Sequence, residues 1–130
     1  MRIYYSVGSD PVILDSILGL NNIHDSLKGF MSSAERILCL AADASGSPRP
    51  YNELLRGLEI EKSEGAIFVC VTAQRYLRIA GSVENLRIYI DFFQFAEGEE
   101  SHHHHPEYVD IPGYIRPGTL SLIIEADAEE

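Results

Sequence analysis

Four consecutive histidines, His102 to His105, are followed by Pro106, Glu107 and Tyr108. Imidazoles ligate metals and carry protons near neutral pH, so this stretch concentrates the side chains best suited to chemistry. The run is followed by 25 residues that end in a patterned apolar strand, and it is read as native rather than as an appended tag. In an extended chain alternate residues share a face. His103, His105 and Glu107 then point one way, and His104 and Tyr108 the other. Two imidazoles and one carboxylate on a common face form a ligand set that zinc or non-haem iron accepts.

That metal reading lacks support elsewhere in the chain. The spacing is similar to the H-x-H opening of cupin sites, but those need a further ligand and glycine-framed strands, and neither occurs at suitable spacing. The fifth histidine, His24, falls on an expected helix. No G-x-S-x-G elbow, G-x-x-x-x-G-K-[ST] loop or G-x-G-x-x-G turn is present, so serine hydrolysis and phosphate cradling have no motif to rest on. Cys39 and Cys70 each sit in an apolar run and are expected to be buried, reduced and slow to react. Glu107 and Asp110 are close enough for an acid–base pair, yet carboxylates on a turn are ordinarily just solvated. The expectation is a non-enzymatic protein without a cofactor. The alternatives are a small metal-dependent enzyme using His103, His105 and Glu107, or a regulatory domain binding a small ligand.

Charge points toward recognition. The 130 residues carry a formal net charge of −10, with 45% hydrophobic and 23% charged residues. Residues 88–130 hold ten acids and a single Lys or Arg, Arg116, whereas residues 1–87 hold ten acids and nine Lys or Arg. Phosphates would be repelled by such a field, which excludes nucleic acid as a partner, whereas a basic protein would be steered in. Tyr108 and Tyr114 lie among Glu97, Glu99, Glu100, Glu107 and Asp110, and tyrosines are enriched at interfaces. These residues, with His103 and His105, form the expected partner-binding surface. The competing reading is an acidic face that serves solubility alone. No apolar run approaches the ~18 residues of a membrane span and no signal-peptide segment opens the chain, so a cytoplasmic protein without membrane contact is expected.

The elements that must position these residues read as one α+β domain spanning 1–130. Arg2 to Val7 reads as a strand with Ile3, Tyr5 and Val7 on one face. Asp10 and Pro11 read as the cap and first residue of a short helix that Gly19 breaks; Asn21 or Asn22 then caps a second helical stretch to Met31. Arg36 to Ala42 is strand-like, and residues 44–50 form the clearest loop. Leu58 to Lys62, Ala66 to Val71 and Tyr76 to Ala80 read as an antiparallel meander. Ser82 caps a helix whose apolar face runs from Val83 to Ala96, with Gly98 closing it. The histidine strand, two turns, a last strand from Thr119 to Ala126 and an acidic tail from Asp127 to Glu130 follow. The expected architecture is a mostly antiparallel sheet with two helices packed on one face.

Leu77-x-Ile79-x-Gly81 followed by Leu86, then His103-x-His105-x-Glu107-Tyr108, then Pro117-Gly-Thr-Leu-Ser-Leu-Ile-Ile-Glu125 together resemble a family of small α+β immunity proteins of bacterial polymorphic toxin systems. The resemblance covers roughly residues 75–127, and H-x-H-x-E-Y is its most specific part. His102, His104 and Pro106 depart from that pattern, which often has apolar residues between the histidines. The resemblance implies a protein that neutralises a cognate toxin domain by binding it in the cytoplasm.

Overall fold

A computed structural model describes residues 1–128; Glu129 and Glu130, the end of the expected acidic tail, lie outside the described residues. Among those described, the chain forms nine strands and two α-helices, an α+β fold. β1 (Arg2–Tyr5) ends before Val7, which stands 83% exposed in the turn to β2. Pro11 opens a strand rather than a helix: β2 is Val12–Asp15, a branched run that packs well on a pleated surface. The helix cap lies further on, at Ser16. Its hydroxyl accepts from the Gly19 N–H at 3.0 Å, and α1 runs Ile17–Met31. Gly19 therefore sits in the first turn of α1 and does not break it. A Cβ there would run into the Asp15 carboxylate. Asn21 lies within α1, where its side chain grips both backbone groups of Phe95, at 2.9 and 3.1 Å.

The strands divide between two sheets. The first has the order β4 (Glu53–Leu54), β1, β2, β9 (Ile123–Ala126), β8 (His103–His104). The second has the order β3 (Ile37–Ala41), β5 (Gly57–Lys62), β7 (Tyr76–Gly81), β6 (Phe68–Val71). Pairing is mostly antiparallel, and each sheet contains one parallel pair, β2–β9 and β5–β7. The expected meander is thus corrected: β6 crosses to the far edge and β5 pairs directly with β7. Burial explains the choice. This register sets Leu58 against Leu77 and Ile60 against Ile79, and all four are fully buried. On the outer face Arg78 lies against Glu59 and Glu61.

α2 (Val83–Ile90) is capped by Ser82, whose hydroxyl accepts from the Asn85 N–H at 3.1 Å. It ends earlier than the apolar pattern implies. A 3-10 turn, Asp91–Phe93, follows, and the backbone is extended at Gln94. The break lets Phe93 and Phe95 both reach the core, and Gly98 belongs to the next turn rather than to a helix end. α1 packs on α2 and β2, and α2 on β7. One contiguous core draws Ile13 and Ile124 from the first sheet, Leu58 and Ile79 from the second, and Leu20, Leu27 and Leu86 from the helices. Among the described residues no helix is long and apolar enough to cross a membrane.

The cysteine expectation is also corrected. Cys39 is exposed and Cys70 half-buried. Both lie on edge strands of the second sheet, where an apolar run marks strand propensity rather than burial on both faces.

Gly57 opens β5, between β3 on one side and β7 on the other. A Cβ there would meet the Leu40 carbonyl oxygen and, at 2.7 Å, the Tyr76 ring. Gly57→Ala is expected to lower unfolding stability by about 1–3 kcal/mol, the usual cost of forced overpacking. Urea denaturation monitored by circular dichroism measures it; an unchanged midpoint would contradict this account of the β3–β5–β7 packing.

Candidate functional site

The histidine run is held by a strand much shorter than its alternation implies. β8 covers His103 and His104 alone, paired with Glu125 and Ile124 of β9. Pro106 has no N–H to offer a sheet, and the chain turns there, with the Tyr108 N–H donating to the His105 carbonyl at 3.0 Å. The face expected to be shared by His103, His105 and Glu107 therefore forms only in part: the His103 and His105 rings meet, and Glu107 turns inward.

His104 turns inward. Its ring stacks on Phe95 with centroids 4.0 Å apart, and its Nδ1 lies 2.8 Å from the Phe92 carbonyl oxygen. A carbonyl only accepts, so Nδ1 carries the proton in that contact. His103, His105 and Tyr108 instead form a ladder of rings on the surface. His103 meets His105 edge-on at 5.1 Å, and His105 stacks on Tyr108 at 4.7 Å, leaving Tyr108 75% exposed. Tyr108 thus lies on the same side as His105, opposite to the alternation expected.

Glu107 and Tyr114 belong to the interior. Tyr114 is fully buried and its hydroxyl donates to the Pro106 carbonyl at 2.9 Å. The Glu107 side chain is 11% exposed, and its Oε1 accepts from the Leu122 N–H at 3.3 Å. The other oxygen, Oε2, lies 3.9 Å from His105 Nδ1, and neither atom has a hydrogen-bond partner. The buried Tyr89 hydroxyl is likewise unpartnered, and its ring lies 6.4 Å from that of Tyr114. Burial pushes both phenols above their ordinary pKa, and the Glu107 carboxylate adds to the effect. Burial removes Tyr114 from any surface a partner could touch, and Glu107 nearly so. They fix the shape beneath the ring ladder.

The acids also separate by role. Glu97, Glu100 and Asp110 are exposed. Glu99 is committed to its own turn: its carboxylate accepts from the Ala96 N–H at 2.6 Å, which holds its pKa below the usual carboxylate range. The composition gave no sign of Ile111, an exposed apolar side chain beside Asp110. Nor did it single out Phe92 and Phe95, which seat His104. Their signal was the apolar stretch that periodicity assigned to helix.

His103, His105 and Glu107 do not converge as ligands, and among the described residues no group of three His, Cys, Asp or Glu is placed to hold a metal ion. A cleft of about 260 Å³ lies between α1 and β3, lined by Met1, Asp15, Asn22, Ile23, Ser26, Leu40 and Ala41. It falls below the ~300–1,000 Å³ of typical ligand pockets and shares no lining residue with the histidine run. Comparison with protein-family models, with curated proteins and with solved structures gives no match.

The buried phenols give a pH signature. A phenol whose pKa is raised by folding stabilises the fold fully below its unfolded value of about 10, and that contribution is lost as pH rises further. Unfolding stability is therefore expected to fall above about pH 10. Tyr114→Phe should cost about 0.5–1.5 kcal/mol at neutral pH through the lost Pro106 hydrogen bond, and it should flatten the alkaline decline. Urea titrations at pH 7 and in the alkaline range test both; an alkaline slope identical in the variant and the parent protein would refute the assignment to Tyr114.

Proposed function

We propose that this chain is an immunity protein, which binds a basic toxin domain in the cytoplasm and occludes its active surface. The observation that carries the reading is the exposed ring of Tyr108, stacked on His105, on a segment whose exposed acids are Glu97, Glu100 and Asp110. From residue 88 to residue 115 that part of the chain contains no Lys or Arg. The resemblance of His103-x-His105-x-Glu107-Tyr108 to immunity proteins points the same way.

This reading gives the residues a division of labour. Exposed carboxylates act at a distance: they raise the encounter rate with a basic surface and are screened over about 8–10 Å at ordinary salt. An aromatic side chain acts on contact. Stacking on His105 restricts Tyr108 before any partner arrives, which lowers the ordering cost of binding. Tyr114, Glu107 and His104 hold the segment from below and make no contact with a partner. The fused role expected of all these residues thus separates into steering acids, an anchoring ring and a buried support.

The test is binding kinetics against the toxin domain encoded by the neighbouring gene, at two salt concentrations. Replacing Glu97, Glu100 and Asp110 with Gln is expected to slow association and to reduce its salt dependence. Tyr108→Ala is expected to accelerate dissociation, by about thirtyfold if the ring contributes the ~2 kcal/mol of a hot spot. Association that ignores salt, together with unchanged dissociation of Tyr108→Ala, would leave the acidic segment as a solubility feature and overturn the proposal.

A further inference from the structure

The second sheet ends on one side at β3. The Lys62 N–H donates to the Arg36 carbonyl and the Ala42 N–H to the Arg56 carbonyl, both at 2.9 Å, which fixes the residues that face β5. Successive residues of a strand turn their amides to opposite sides. Ile37, Cys39 and Ala41 therefore direct N–H and C=O toward the open edge, and all three are exposed. The remaining edges are handled differently. β4 and β8 are two residues long. β6 is covered, because the Ile67 N–H donates to Tyr114 O, the Arg116 N–H to Ile67 O and the Leu120 N–H to Val69 O. β3 is the long uncovered edge, and Ile-Leu-Cys-Leu-Ala carries neither the charge nor the proline that ordinarily discourages edge pairing.

We propose that β3 pairs antiparallel with β3 of a second copy of this chain, about a two-fold axis at Cys39. The two four-stranded sheets then run on as one. Self-complementarity selects a second copy as the occupant. A two-fold contact requires that each residue suit the one facing it in both directions. About Cys39, Leu38 of one copy faces Leu40 of the other and Ile37 faces Ala41, so apolar meets apolar throughout. Cys39 exchanges both backbone hydrogen bonds with its own counterpart. Charge permits the approach as well. All four strands of this sheet come from residues 1–87, where ten acids are nearly matched by nine Lys or Arg. The strongly acidic remainder supplies none of them. Beyond the five residues the edge is occupied, because the Asp43 N–H, on the same side as those of Ile37, Cys39 and Ala41, donates to the Met1 carbonyl at 2.8 Å, and the paired stretch ends there. The interface is small beside the ~1,200–2,000 Å² of stable complexes, which makes this a weak, concentration-dependent dimer.

Sedimentation velocity of the full chain over a micromolar concentration series is the test. The sedimentation coefficient is expected to rise from the monomer toward the dimer value. Cys39→Lys puts two cations at the axis, and Ala41→Pro removes an N–H that is idle in the monomer and bonded in the dimer. Each should weaken association roughly tenfold or more with unchanged circular dichroism. Should Cys39→Lys lose its fold, Ala41→Pro decides. A short bis-maleimide should cross-link Cys70→Ser into a covalent dimer and leave Cys39→Ser monomeric. A parent protein that stays monomeric throughout the series, or a dimer that survives both substitutions, would overturn the proposal.

Discussion

A sheet edge that faces neither solvent nor another strand must have its amides bonded by something else, since an orphaned buried amide costs about 1–3 kcal/mol. In this chain β6 meets that requirement with residues 114–120. The Ile67, Val69 and Tyr114 backbones and the Thr119 hydroxyl form an irregular ladder along the edge of β6, with a single bridge between Ile67 and Ile115. The same stretch continues through Leu122 into β9, the strand between β2 and β8. One run of chain therefore finishes the second sheet and then completes the first. The shared core is possible because this run passes between the two sheets and sets Tyr114, Leu122 and Ile124 among the residues it joins.

The histidine segment takes its shape from that connection. Pro106 is buried, its carbonyl accepts from Tyr114, and Glu107 holds Leu122 by a backbone N–H. Both bonds tie the turn after β8 to the run that leaves β6. With Pro106 and Glu107 drawn inward, His105 and Tyr108 are left outside, where their rings stack. Exposure of the one pair and burial of the other are two results of a single turn. Within this polar cluster the Tyr89 hydroxyl, His105 Nδ1 and Glu107 Oε2 are buried without a hydrogen-bond partner, whereas most buried polar groups in proteins have one.

Features set by nearby residues were legible in the sequence. Ser82 before Val83, the alternation of Leu58 and Ile60, and the apolar Ile37-to-Ala41 strand all appear where local pattern places them. Features set by distant contacts were not. Val12-Ile13-Leu14 fits either a short helix or a strand until β9 is available beside it. The order of β5, β6 and β7 depends on which strand Leu58 and Ile60 can bury against, and adjacency in the chain pointed to the wrong neighbour. Cys39 looked buried because its run is apolar, yet only one face of an edge strand meets the core. In the histidine segment, alternation described His103 and His104 and failed from Pro106 onward, where the missing N–H ends the pairing. The acidic character of the segment was visible from composition. Which acids are free and which are spent on turns required the geometry of Ala96 and Glu99.

The parallel pairing of β2 with β9 has a kinetic side. Val12 lies against Ile123 and Asp15 against Ala126, so a hairpin made early in synthesis waits for a strand made more than a hundred residues later. Until then Ile13 has its final neighbour Ile3 on one flank and lacks Ile124 on the other, and the nascent β1–β2 unit presents an apolar edge to whatever is nearby. Loop-closure entropy must be overcome before these contacts reward the chain, which places refolding on the order of milliseconds to seconds rather than microseconds. For a cell making this protein, the vulnerable interval is the one between emergence of residue 15 and emergence of residue 126. Chaperone engagement and aggregation would both be concentrated there.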